Sequence, residues 1–155
     1  MNQKPKIIYI LVILWIVIGV LFIGMAVKRT LDHLDYLDLT SASAFGRDYF
    51  TTIMTFSYVL YTILFIIIIA LSFILACGTF IKKSWSWLIG IMLSSFLAFF
   101  AFSAIYLIGA GVITEHLDQM FNNFESVVYI LMLFFVPCLM VLLTRPVVKA
   151  YFGKT

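Results

Sequence analysis

Charged side chains fall in a few clusters along this chain and leave four long apolar stretches between them. The first, Ile7 to Val27, holds no ionisable side chain except Tyr9. The second runs from Ile53 to Ile81 and the third from Trp85 to Ile113, both without a formal charge. The fourth, Ser126 to Leu143, is shorter. About 20 apolar residues at a rise of 1.5 Å cross a hydrocarbon core about 30 Å thick. Each stretch therefore predicts a transmembrane helix, the form that satisfies every backbone group of an uncharged run within lipid. The second and third are longer than a crossing requires and are expected to tilt or protrude. The fold expected is all-α: a four-transmembrane-helix bundle forming one integral membrane domain over residues 1–155. Its helices lie at about 7–27, 53–81, 85–113 and 126–143, with outer loops at 28–52 and 114–125. An inner loop at 82–84 and a cytoplasmic tail at 144–155 complete it.

Local signals refine these elements. The link Lys82-Lys83-Ser84 predicts a tight antiparallel hairpin of the second and third helices, with Ser84 as N-cap. Asn122 and Glu125 form a capping-box-like pair before the fourth. The third helix carries a row of small residues, Gly90, Ser94, Ala98 and Ala101, expected to face the bundle or a partner because small side chains let backbones approach in lipid. The fourth helix is rich in Leu, Val, Phe and Met and is expected to be the most lipid-exposed, with a kink at Pro137. Arg145 and Lys149 stand one turn apart before Tyr151 and Phe152, which suits a short helix on the inner surface.

Composition supports lipid as the solvent. Hydrophobic residues make up 65% of the 155-residue chain and charged residues 11%, with a mean hydropathy of +1.16. Soluble domains carry about 25% charged residues, so this chain lacks the polar side chains to cover a water-exposed surface. That excludes most soluble enzymes and nucleic-acid binders. Lys4 and Lys6 before the first stretch resemble the start of a signal peptide, but the apolar run is longer than the 7–15 residues of a signal core. An uncleaved anchor is expected.

The distribution of charge sets an orientation. Lys4, Lys6, Lys82, Lys83, Arg145, Lys149 and Lys154 fall on one side of the four crossings with no acid among them, a formal +7. The other side holds Lys28, Arg29 and Arg47 with all seven acids, Asp32, Asp35, Asp38, Asp48, Glu115, Asp118 and Glu125, a formal −4. The positive-inside rule then places both termini in the cytoplasm. Lys82, Lys83, Trp85 and Trp87 read as interface anchors, with Tyr9 on the inner side and Tyr49 on the outer.

Candidate chemistry is sparse. Cys77 and Cys138 read as small buried hydrophobes, with acylation of Cys77 weakly signalled and a disulfide disfavoured on the reducing side. No Asp, Glu, Lys, Arg or His lies within a span, which argues against a proton-coupled transporter. The hydroxyls of Tyr58, Tyr61, Thr62, Ser72, Ser94, Ser95 and Ser103 are expected to bond back to their own or a neighbouring helix. Both histidines lie in matching tetrads, Asp32-His33-Leu34-Asp35 and Glu115-His116-Leu117-Asp118. Two imidazoles with the carboxylates of Asp32, Asp35, Glu115 and Asp118 are a candidate site for Zn, Mn or Cu. Against that, Leu31, Leu34 and Leu37 share the three-residue period of the acids, as in an amphipathic collar with solvated or partner-binding carboxylates. An internal duplication of two hairpins is a third reading.

The stretch GTFIKKSWSWLIGIMLSSF, residues 78–96, resembles the basic loop and Trp-x-Trp helix start of uncharacterised small four-helix integral membrane proteins of bacteria and archaea. That resemblance implies a fold and a prokaryotic cytoplasmic membrane as the location, and carries no activity. With no catalytic constellation in view, the function expected is a non-catalytic accessory or interaction subunit of a membrane complex. Its partners would be the lipid bilayer and other membrane proteins or further copies of itself, without nucleic acid. No cofactor is expected unless the tetrads bind a divalent metal. The alternative is a small transporter or channel component using His33 and His116. The outer segment 28–52 is the main candidate for partner contact.

Overall fold

The computed structural model describes residues 5–41, 47–112 and 124–153. Among these, every regular element is an α-helix: α1 (Lys6–Ser41), α2 (Arg47–Phe80), α3 (Ser84–Val112), α4 (Phe124–Thr144) and the short α5 (Pro146–Tyr151). The first four are long and apolar enough to cross a membrane, over 6–35, 58–80, 84–103 and 127–144.

Two pairs organise the bundle. α1 lies antiparallel along α2, with Tyr9 beside Phe80, Phe22 against Phe65 and Thr30 bonded to Tyr58. α3 lies antiparallel along α4, with Trp87 at Leu143 and Phe100 at Tyr129. α1 also packs on α4 and so joins the pairs, and both this contact and that of α2 with α3 are far smaller than the two main pairings. The hairpin expected of α2 and α3 is therefore tight at its turn without being the main packing pair. At the turn itself a Cβ on Gly78 would lie 2.8 Å from Trp85 Cη2 and 2.9 Å from Ser86 Cβ, so only glycine admits this approach.

The core follows a heptad. Ile8, Leu11, Trp15, Ile18, Phe22 and Met25 of α1 are buried at alternating spacings of three and four. Phe65, Ile68, Ser72, Leu75 and Thr79 do the same on α2, as do Met132, Val136, Leu139 and Leu143 on α4. Such spacing is the seam of left-handed helix pairs crossing at about 20°. The small residues of α3 face this interior: Gly90, Ser94 and Ala101 are buried and Ala98 is half-buried. A Cβ on Gly90 would stand 3.2 Å from Trp15 Cζ2 and 3.5 Å from Leu143 Cδ1, so its missing side chain makes room for the indole where α1, α3 and α4 meet.

Three expectations are corrected. Residues 28–52, read as an outer loop because hydropathy falls after Val27, are helical over 28–41 and 47–52. The exposed acids there are compatible with helix, and they ended the apolar pattern without ending the element. α4 is not the most exposed span: a third of it is buried, the same share as in α1 and α3, against 28% in α2. Its uniform apolar composition hid a seam. Cys77 and Cys138 are both exposed, because each falls off its helix's heptad positions. Pro137 lies within a continuous α4 and is exposed, so its missing N–H falls on the outer side of the bundle.

Candidate functional site

The polar side chains gather at the two ends of the bundle. At the end reached by the C-terminal part of α1 and the N-terminal part of α2, successive polar residues of α1 face different ways, as 100° per residue dictates. Lys28 Nζ donates to both carboxylate oxygens of Asp32, at 2.9 and 3.1 Å, one turn along the exposed face. A pair this accessible contributes little to stability. The Arg29 guanidinium carbon lies 4.4 Å from the ring centre of Tyr61, a cation–π contact that covers its apolar stem. Thr30 Oγ1 donates to the Ala26 carbonyl at 2.8 Å and accepts from the Tyr58 hydroxyl at 3.2 Å. His33 stacks flat on Tyr58, with centroids 4.0 Å apart and planes inclined by 6°. Side-chain contacts thus clamp α1 to α2 well beyond Met25, the last buried core residue of α1 among the described side chains.

This geometry divides the first tetrad. Asp32 turns to Lys28, His33 turns to α2, and Asp35 is exposed. Among the described residues no group of three or more His, Cys, Asp or Glu is placed to hold a metal ion. Glu115, His116 and Asp118 lie outside the described residues, as do Asn122 and the side chains of Asp38, Tyr49 and Glu125.

Within the spans the hydroxyls bond backwards along their own helices. Thr62 donates to Tyr58, Ser72 to Ile68, Ser94 to Gly90 and Ser95 to Ile91, all at 2.7–3.0 Å. Two buried polar atoms have no partner among the described residues, Trp15 Nε1 and Thr79 Oγ1. Trp15 was not singled out from the sequence. A tryptophan in the middle of an apolar run, away from the interface where indoles collect, was the available signal.

The opposite end holds the helix termini. α2 ends in a Schellman-type closure: Lys83 N–H donates to the Gly78 carbonyl at 2.9 Å and Lys82 N–H to the Thr79 carbonyl at 3.3 Å. Lys82 occupies the left-handed position of that motif, at φ 61°, where glycine is usual. No family model, curated protein or solved structure matches this chain. The Tyr151 hydroxyl of α5 donates, shared, toward the last carbonyls of α2, Thr79 and Phe80, at 3.4 and 3.3 Å. Trp87 Nε1 donates to the Leu143 carbonyl at 2.8 Å, a group left without a helical donor because α4 ends before Pro146. Trp87 thus ties α3 to α4, and it is Trp85 that is exposed. Val148 and Phe152 are buried, which docks α5 on the bundle. Desolvation, and secondarily the neighbouring Tyr9, raises the pKa of the Tyr151 hydroxyl above its usual 10.0.

Proposed function

We propose that this chain is a non-catalytic, multi-pass protein of a prokaryotic cytoplasmic membrane, with both termini inside, that serves as an accessory subunit. In this reading the outer extension of α1 and α2 contacts a partner membrane protein. The observation that carries it is length. α1 has 36 residues and α2 has 34, or about 54 and 51 Å at 1.5 Å per residue, against a hydrocarbon core of about 30 Å. The pair begins together at the basic end, beside Lys6 and Lys82, so roughly 20 Å of it stands beyond the other interface. That projecting hairpin carries Asp32, Asp35 and the exposed Leu31, Leu34 and Phe56. Exposed apolar residues interleaved with acids on a stiff two-helix arm suit contact with another protein better than contact with water.

The charge asymmetry supports the orientation through the positive-inside rule. Gentle-detergent purification from the native membrane, followed by mass spectrometry of co-purifying chains, tests the reading. A reproducible partner or a higher-order assembly is expected. Consistent recovery as a lone monomer would overturn the accessory role.

A further inference from the structure

We propose that the basic end of the bundle is a binding collar for anionic phospholipid, with the α2–α3 turn and α5 as its two sides. This inference rests on residence in a bilayer, part of the reading above, and is independent of orientation and of any protein partner.

Lys6, Lys82, Lys83, Arg145 and Lys149 all lie at this end, and each is exposed or half-exposed. They start α1, close α2, and flank α5, which the buried Val148 and Phe152 and the Tyr151 hydroxyl fix against the end of α2. Arg145 and Lys149 are thereby held at the same end of the bundle as the turn. The carboxylates whose side chains are described, Asp32 and Asp35, lie at the far end of the long α1. A field of one sign at a helix-bundle end attracts anions. A phospholipid is selected over a soluble anion by what lies next to the cations: Phe80, Ile81, Trp85 and Val147 are 45, 58, 40 and 56% exposed. Ammonium groups bordering open aliphatic and indole surface match a phosphate head joined to acyl chains, whereas a nucleotide or nucleic acid would leave that surface bare.

Lys82 adds an independent observation. A residue with a Cβ is disfavoured in the left-handed conformation, and glycine would relax the closure. A lysine there places its ammonium 5.5 Å from the ring centre of Tyr151, on the inner wall of the collar. Strain of this kind is found where a side chain serves a purpose that the backbone alone does not.

The test uses the full chain in nanodiscs of equimolar phosphatidylglycerol and phosphatidylcholine, with retained lipid read by native mass spectrometry. Phosphatidylglycerol should be retained preferentially, and each neutralised cation should cost about fivefold of that preference. Lys82→Gln with Lys83→Gln should cost roughly 25-fold on the same basis, while Lys82→Arg retains it. Inorganic phosphate should fail to displace the lipid. Lys82→Gly separates lipid binding from folding. Relief of strain should raise its unfolding midpoint in pure phosphatidylcholine by about 2–4 °C, yet its preference for the anionic lipid should fall. Equal retention of both lipids by the unmodified chain would overturn the collar and leave the membrane reading intact. So would a preference that survives the double substitution, or displacement by phosphate alone. A chain that will not enter the bilayer at all would sink both.

Discussion

Trp15 and Gly90 fit closely in the interior, with a Cβ on the glycine only 3.2 Å from the indole. The indole is fully buried on α1, and the glycine of α3 yields it the volume of a side chain, with Leu143 of α4 closing the third side. Without hydrophobic drive between helices in lipid, such close packing supplies much of the association energy. Gly90→Leu is expected to destabilise the bundle by about 1–3 kcal/mol through overpacking, measured as a lower unfolding midpoint in detergent. An unchanged midpoint would mean that α3 does not seat on Trp15. At the basic end Tyr151 gives a different handle. Its raised pKa means that the unfolded hydroxyl ionises first as pH rises through 10.0. Its contribution to docking α5 is therefore complete below that pH and is lost as pH climbs through the higher folded value. Limited proteolysis after Tyr151 should accelerate under alkaline conditions, and Tyr151→Phe should abolish the pH dependence.

At the scale of the helix, the existence of each long apolar helix was legible because length and hydropathy alone mark it. Which face turns inward was not. Ile8, Leu11, Trp15, Ile18, Phe22 and Met25 form the seam of α1, but Ile10, Ile13, Ile16 and Ile23 between them are equally apolar and exposed. A helix apolar all round has no polar face to mark the outside. Pairing was hidden for a related reason: a short link brings α2 and α3 together in sequence, yet side-chain volume joins α1 to α2 and α3 to α4. The same limit applied to the first tetrad. Its residues were visible, but the 100° turn per residue that sends Asp32 to Lys28 and His33 to Tyr58 matters only once the segment is known to be helix. The end of α1 was missed because falling hydropathy marks where lipid stops, and a helix can continue into water. That continuation is testable on its own. Asp35 is exposed and lies ten residues beyond Met25, the last buried core residue of α1 among the described side chains. Asp35→Pro removes an N–H from the extension and crowds the turn before it, at a local cost of about 3 kcal/mol. The midpoint of the bundle should hold while recovery of a co-purifying partner falls. Loss of both together would place Asp35 inside the stabilising core instead.

The charge of the molecule is polarised along its long axis. At one end five described cations lie at a cap of helix termini tied by Tyr151, Trp87 and the Lys82 turn. At the other, two helices run on past the core, clamped by His33 on Tyr58 and Arg29 on Tyr61. A lysine-rich cap resists transfer across the bilayer during insertion far more than scattered carboxylates do, so the asymmetry should dictate orientation. Replacing Cys77 and Cys138 with serine clears the background, since both are exposed. Lys83→Cys should then resist a membrane-impermeant maleimide in intact cells and react once the membrane is opened, whereas Asp35→Cys should react without opening. If the pattern is reversed, the chain sits the other way up, and the proposed partner of the α1–α2 arm would have to be cytoplasmic. The lipid collar would survive that reversal, because it depends on where the cations meet apolar surface and not on which leaflet they face.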